Sequence, residues 1–223
     1  VRAVLLMTLV FELTGAVLSF IVFIQDYPFV HALGISVFHS IAAFNNSGFD
    51  ILGGLRNLIP YQENVLLNLT TSGLIIFGGI GFLVILDVLK QRSFKKLMLH
   101  SKVVITTSLF LIVSGTLLLK ATENITWLGA FFQSVSARTA GFSTYAIGDF
   151  TDAGLFVLIL LMFIGASPGS TGGGIKTSTF FVVIQNVRSI FVKRPLSSFR
   201  RNISPENLSK AYIVTLLSLG VVC

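Results

Sequence analysis

Two short stretches hold the residue types that could do chemistry on an ion: Asn46-Ser47-Gly48-Phe49 and Thr139-Ala140-Gly141-Phe142. Each is small or polar until its closing phenylalanine, and each lies between strongly apolar segments. Extended backbone at membrane depth is tolerated only where it is buried in protein or lines a water-filled cavity. Carbonyl oxygens that face such a cavity can replace the hydration shell of a cation. A dehydrated cation is therefore expected at the backbone carbonyls of Asn46, Ser47, Gly48, Thr139, Ala140 and Gly141. A short amphipathic helix over 126–138 would enter the membrane part-way, and residues 139–142 would return as extended chain.

Either stretch alone could be an ordinary surface loop, but the pattern occurs twice. Phe38, Gly48 and Phe49 match Phe131, Gly141 and Phe142 without a gap at an offset of 93 positions. Each copy has one long apolar segment before it and one after it, so the repeated unit is membrane helix, pore loop, membrane helix. A repeat of this length signals repeated architecture.

A third stretch interrupts an apolar segment. Residues 151–164 begin as a membrane helix, but Gly165, Ala166, Ser167, Pro168, Gly169, Ser170, Thr171, Gly172, Gly173 and Gly174 cannot continue it, and apolar character resumes only at Ile175, next to Lys176. Interrupted membrane helices mark transport sites, because their freed carbonyls must line a cavity. The run also resembles the nucleotide-binding pattern G-x-x-x-x-G-K-[ST], in which lysine directly follows the last glycine. Here Ile175 separates Gly174 from Lys176, and no strand-to-helix context surrounds the run, so ATP binding is not expected.

The paired loops and the run from Gly165 to Thr177 together resemble the Trk/Ktr/HKT potassium transporter superfamily, and the resemblance covers essentially the whole chain. It implies an all-α membrane protein of repeated helix, pore loop and helix units around a central pore. Residues 165–174 would form a gate loop below the filter, with Lys176 on its cytoplasmic side. The implied function is potassium uptake through a channel-like pore in a bacterial plasma membrane, sodium-dependent as in Ktr systems. Implied partners are a second copy of the transporter, forming a homodimer, and a cytosolic nucleotide-binding regulatory subunit. Family members carry four such units, and two plus the start of another are found here, so the chain reads as a fragment. Asn46 and Ser47 depart from a Thr-Val-Gly-Tyr-Gly filter more than Thr139 and Ala140 do, which leaves potassium over sodium selectivity open. Two other readings remain: a secondary cation transporter working by alternating access, and a nonconducting membrane subunit that binds a partner.

Composition sets the outer limits. Of 223 residues, 53% are hydrophobic and 11% charged, with a mean hydropathy of +0.88. Soluble domains average about 25% charged residues, so this is read as a multi-pass membrane protein in contact with lipid. The net charge of +7 sits at the ends of apolar spans, which argues for topology and against nucleic acid. A single cysteine, Cys223, excludes an internal disulfide and a Cys/His metal cluster. No enzymatic constellation and no bound cofactor are expected.

In chain order, residues 1–90 form the first unit. Its span at 1–24 carries Glu12, expected either as a hydrogen-bond partner or on a cation route. Residues 31–44 are the first pore helix, on which His39 packs, 45–50 the loop, and 64–89 the next span. The Gly78-Gly79-Ile80-Gly81 run is expected to let backbones approach closely. Residues 91–102 are a basic cytoplasmic loop, and 103–191 are the second unit, in which Arg138 is expected to cap its helix and hold the loop. A second basic loop, 192–206, and the start of a further unit at 207–223 follow. Arg188, Lys193, Arg194, Arg200 and Arg201 fall on the same side as Lys90 to Lys102, and Asp26, Asp50, Glu63, Glu123, Asp149 and Asp152 on the other.

Overall fold

The computed structural model describes residues 2–54, 56–193, 197–199, 201–202 and 204–222. Arg194, Arg200 and Cys223 lie outside the described residues, and the side chain of Arg201 is not among those described. The described helices are α1 (Arg2–Phe23), α2 (Phe29–Phe44), α3 (Val65–Ile80), α4 (Phe82–Gln91), α5 (Leu99–Thr122), α6 (Trp127–Ala137), α7 (Asp152–Phe163), α8 (Thr177–Val192) and α9 (Pro205–Val222). One antiparallel pair of two-residue strands, Ser197–Ser198 with Arg201–Asn202, lies between α8 and α9 in an otherwise helical chain.

Length decides the role of each helix. At 1.5 Å per residue, α1 with 22 residues and α5 with 24 can cross a hydrocarbon core of about 30 Å. α2 and α6, with 16 and 11 residues, cannot. The starts of α6 and of the helices that follow the two short ones, α3 and α7, are set by local chemistry. Thr126 accepts from Gly129 N at 3.0 Å, Asn64 from Leu67 N at 2.9 Å and Thr151 from Gly154 N at 3.2 Å, each an N-cap satisfying a free amide. At the far end of α5, Lys120 Nζ donates to Ile125 O at 2.6 Å, so a cation satisfies a carbonyl just beyond the helix.

The two units are built alike at the level of atoms. Ser40 Oγ donates to the carbonyl of Glu12 at 2.6 Å, and Ser134 Oγ to that of Ile112 at 2.9 Å. Each serine passes over a glycine, Gly15 or Gly115, that also faces a leucine, Leu74 or Leu161. Small residues let the short helix lie directly on the long one. One residue more separates Ser40 from Gly48 than Ser134 from Gly141. The gapless match of the glycines therefore does not extend into the short helices, and left-handed Asn46 (φ 52°) lies within the longer stretch. Asparagine adopts that conformation more readily than most residues.

A continuous span over 64–89, expected from apolar character, is not what forms. The helix breaks at Gly81 and bends by 95° between α3 and α4. Gly81 sits at φ 96°, where a side chain is strained, and a Cβ there would crowd Pro168 O at 2.9 Å. Pro168 and Gly169 pack against the break.

One apolar core spans both units, joining Phe23, Phe44, Leu67 and Ile75 to Phe132, Val135 and Phe142, and a second joins Leu119, Ile125 and Ala130 to Val157, Leu158 and Leu161. Outside the spans, Tyr61 donates to Asp26 Oδ2 at 2.7 Å. Burial, and then Asp26, push its ionisation well above the usual tyrosine range, so it remains a neutral donor.

Candidate functional site

The two loops meet at their glycines. Gly48 (φ 70°) and Gly141 (φ 83°) both take the left-handed conformation, and a Cβ on Gly48 would run into the carbonyl oxygen of Ala140. Only hydrogen fits at that approach. Behind the second loop, Ser136 Oγ donates to Phe142 O at 2.5 Å and Gln133 Nε2 to Ser143 Oγ at 2.8 Å. The first unit reaches across as well: Asn57 Oδ1 accepts from Ser143 N at 3.1 Å, and Leu58 N donates to Ser143 O at 3.0 Å. His39 does pack here. Its Nε2 lies 2.8 Å from Thr71 Oγ1, and its ring stands edge-on to Phe142 at 5.2 Å.

Side chains at the inner ends of the loops form a directional chain. Thr139 Oγ1 donates to Asn46 Oδ1 at 2.9 Å, Asn46 Nδ2 donates to Thr171 Oγ1 at 2.8 Å, and Thr171 Oγ1 donates to Phe44 O at 3.1 Å. The three bonds run in one sense, and with Nδ2 also 3.5 Å from Phe44 O they fix the orientation of the Asn46 amide. Equivalent positions of the two repeats are thereby tied to each other and to the glycine-rich run.

That run is a closed loop. α7 ends at Phe163 and α8 starts at Thr177, and between them Gly165 N bonds Ile175 O at 3.0 Å, Ala166 N bonds Gly173 O at 3.0 Å and Ile175 N bonds Phe163 O at 3.3 Å. Its other amides fill vacancies left by the break in α3. Ser167 N donates to Gly79 O at 3.0 Å and Thr171 N to Gly78 O at 3.3 Å, while Gly169 O accepts from Phe82 N at 3.3 Å. A helix end leaves its last carbonyls and first amides without intrahelical partners. Here two broken spans satisfy one another. Gly172 lies close enough that a Cβ would press on Thr139 Cγ2 at 2.7 Å, and Lys176 Nζ donates to Gly172 O at 2.8 Å across the base of the loop. Ser170 Oγ bonds Ser167 O at 2.6 Å, and Ser167 Oγ lies 3.0 Å from Thr177 Oγ1.

A cavity of about 540 Å³ is lined by Asn46, Ser47, Thr139, Ala140, Gly141, Gly173 and Gly174 together with Arg138 and apolar residues of α7. Five of the six residues expected to bind a cation line this cavity, with part of the glycine-rich run beside them, and the sixth, Gly48, packs against Ala140. Arg138 is 7% exposed, and its Nε has no hydrogen-bond partner among the described residues. Arg138 is the C-cap residue of α6, the position expected of it, although its Nε bonds none of the helix carbonyls. Glu12 takes its hydrogen-bonding role, accepting from Asn45 Nδ2 at 3.1 Å. Among the described residues no group of His, Cys, Asp or Glu is placed to hold a metal ion.

Sequence reasoning missed the break at Gly81, the carbonyls of Phe44, Gly78 and Gly79 as partners of the loop, and Asn57 as the brace of the second loop. A signal for the first was present. The offset that relates Gly48 to Gly141 also relates Gly81 to Gly174, which is left-handed too (φ 73°).

Long apolar helices in an otherwise helical chain define an integral membrane protein. A sequence model described as TrkH, cation transport protein, matches residues 1–128 and 102–223, and the chain belongs to that family. The chain is 36% identical to the Ktr system potassium uptake protein B of Bacillus subtilis, over 100% of this chain and 52% of that protein. It is 34% identical to the potassium/sodium uptake protein NtpJ of Enterococcus hirae, over 98% of this chain and 51% of that protein. The crystal structure of the potassium transporter TrkH from Vibrio parahaemolyticus shares the fold with a TM-score of 0.73 and 21% identity, covering 99% of this chain and 48% of that one. The chain spans about half the length of the curated relatives it matches. Its family is one of transport proteins, not enzymes.

Proposed function

We propose that this chain forms part of a channel-like pore for potassium uptake across a bacterial plasma membrane, with sodium as a second ion. The observation that carries the reading is the seating of the looped break at 165–174 directly beside two apposed glycine loops. Carbonyls around Asn46, Ser47, Gly48, Thr139, Ala140 and Gly141 coordinate the dehydrated ion, and residues 165–174 with Lys176 close the path beneath them. The printed names of the relatives, potassium uptake and potassium/sodium uptake, support the choice of ion. "Ktr system" in such names denotes a system of several components. A second copy of the protein and a cytosolic nucleotide-binding regulatory subunit are the partners proposed, docking on the basic loops.

Gly141→Ser in the full polypeptide tests the filter. Space is available, since the nearest atom to a Cβ there is Gly48 Cα at 3.8 Å, but φ is 83°. Left-handed strain of about 1–2 kcal/mol would deform the carbonyls and lower the preference for rubidium over sodium roughly tenfold at equal surface expression. Gly48→Ser acts in the same direction and adds a clash with Ala140. Unchanged ion preference in both would remove these loops from the filter. Single-channel currents in the parent protein support a pore, whereas saturable flux coupled to a second ion at fixed stoichiometry supports a carrier.

A further inference from the structure

We propose that Asn46 is the positioning residue through which the state of the glycine-rich loop sets the ion preference of the filter. The proposal rests on the filter and gate reading above. It deepens that reading by naming the physical link between the two parts.

The link is the chain Thr139 to Asn46 to Thr171 to Phe44. Thr139 and Asn46 each lie at the start of a filter loop, while Thr171 belongs to the glycine-rich run. Asn46 is the member that touches both, and it is 8% exposed. Its amide has a donor, Thr139, on one side and the acceptor Thr171 on the other, so it cannot rotate without breaking both bonds. Because Thr139 spends its proton on Asn46, the lone pairs of its hydroxyl are left for an ion. Thr171 is held twice, by its hydroxyl and by its amide bond to Gly78 O at 3.3 Å. Withdrawal of the loop must therefore break the Asn46 to Thr171 bond. A buried Nδ2 would then lack that acceptor, with only a long 3.5 Å approach to Phe44 O remaining. Leaving a buried donor unsatisfied is costly, so the amide turns and Thr139 loses its acceptor. The hydroxyl then reorients at the ion path. Gate position and ion preference become one coupled equilibrium, as two sites biasing a common element must be.

The test uses reconstituted full polypeptide and reads both flux and the rubidium to sodium ratio. Thr171→Val removes the hydroxyl while keeping the shape, and should lower the ratio about fivefold, the weight of one net hydrogen bond. Thr171→Ser restores the hydroxyl and should return the ratio toward that of the parent, which a purely volumetric role for Thr171 does not predict. Asn46→Gly cuts the chain but retains a residue suited to φ 52°. It should lower the ratio by a similar factor, and adding Thr171→Val to it should change the ratio no further. If Thr171→Val raises flux and leaves the ratio unchanged, the coupling is refuted while the gate stands. Multiplicative effects of Asn46→Gly and Thr171→Val on the ratio refute it equally. Failure of the gate itself is read separately, from the loop deletion described below, which involves no change at Asn46.

Discussion

Lys176 is the cation nearest the looped break whose bond is given by the geometry. Its Nζ donates to Gly172 O at 2.8 Å, and Gly172 lies so near Thr139 that a Cβ on it would clash there. A charged donor to a carbonyl contributes about 1.5–3 kcal/mol, so this bond closes the base of the loop, and on the proposed function the ammonium also repels cations in the path. Lys176→Gln removes both effects. Flux measured by rubidium uptake into proteoliposomes should rise about tenfold, and the rubidium to sodium ratio should fall with it, since releasing the loop shifts the equilibrium that Asn46 couples to the glycine loops. Unaltered flux at matched protein amounts would show that Lys176 only closes the base of the loop. Arg138 poses a different question, because its Nε is buried and unpartnered among the described residues beside the same cavity.

Broken helices carry free backbone groups, and the arrangement of α3, α4, α7 and α8 shows where they go. The carbonyls of Gly78 and Gly79 and the amide of Phe82 find partners on residues 167–171, so the two breaks form one hydrogen-bonded body. Deleting residues 172–174 shortens the loop without touching those partners, and as the nearest obstruction below the glycine loops is reduced, basal flux should rise. A structural kink would behave otherwise: folding and flux would fall together. Chromatographic monodispersity and uptake on the same preparation separate the cases, and a well-folded deletion that conducts no faster than the parent sinks the gate. Gly81→Ala probes the other break. Its φ of 96° and the 2.9 Å approach to Pro168 O make any side chain strained, so this variant should unfold at lower temperature by thermal-shift assay. The expected cost is about 1–3 kcal/mol, and parental stability would mean the bend is not imposed by the packed loop.

Across the whole molecule, charge sets orientation. Lys90, Arg92, Lys95, Lys96 and Lys102 lie around the turn between α4 and α5, and Arg188 and Lys193 near the end of α8, whereas Asp26, Asp50, Glu63, Asp149 and Asp152 lie at the opposite ends of the spans. Short loops rich in lysine and arginine stay cytoplasmic. In a background with Cys223 replaced by serine, a membrane-impermeant thiol reagent should label Ile51→Cys from outside intact cells and fail to label Lys95→Cys. Ile51 is exposed, as is Lys95, so access across the membrane decides the outcome. The opposite pattern would invert both pore loops.

Membrane class, the helical fold and the transport family were legible in the residues, because they depend on quantities the chain carries locally: apolar run length, the polar interruptions and the spacing of its glycines. Short-range chemistry also placed the ends of helices, as Thr126 and Thr151 cap α6 and α7 through amides only three residues away. What escaped is non-local. Nothing in the apolar stretch from 64 to 89 shows that its last carbonyls lack partners until residues 167–171 arrive to accept that role. Asn46 and Thr171 are 125 positions apart, and a hydrogen bond over that distance depends on how two units pack rather than on any local preference. Periodicity and composition therefore decided which segments enter the membrane, whereas tertiary packing alone decided where they break and which side chains join loop to loop, since unsatisfied backbone groups and buried amides take their partners from whatever the fold brings beside them.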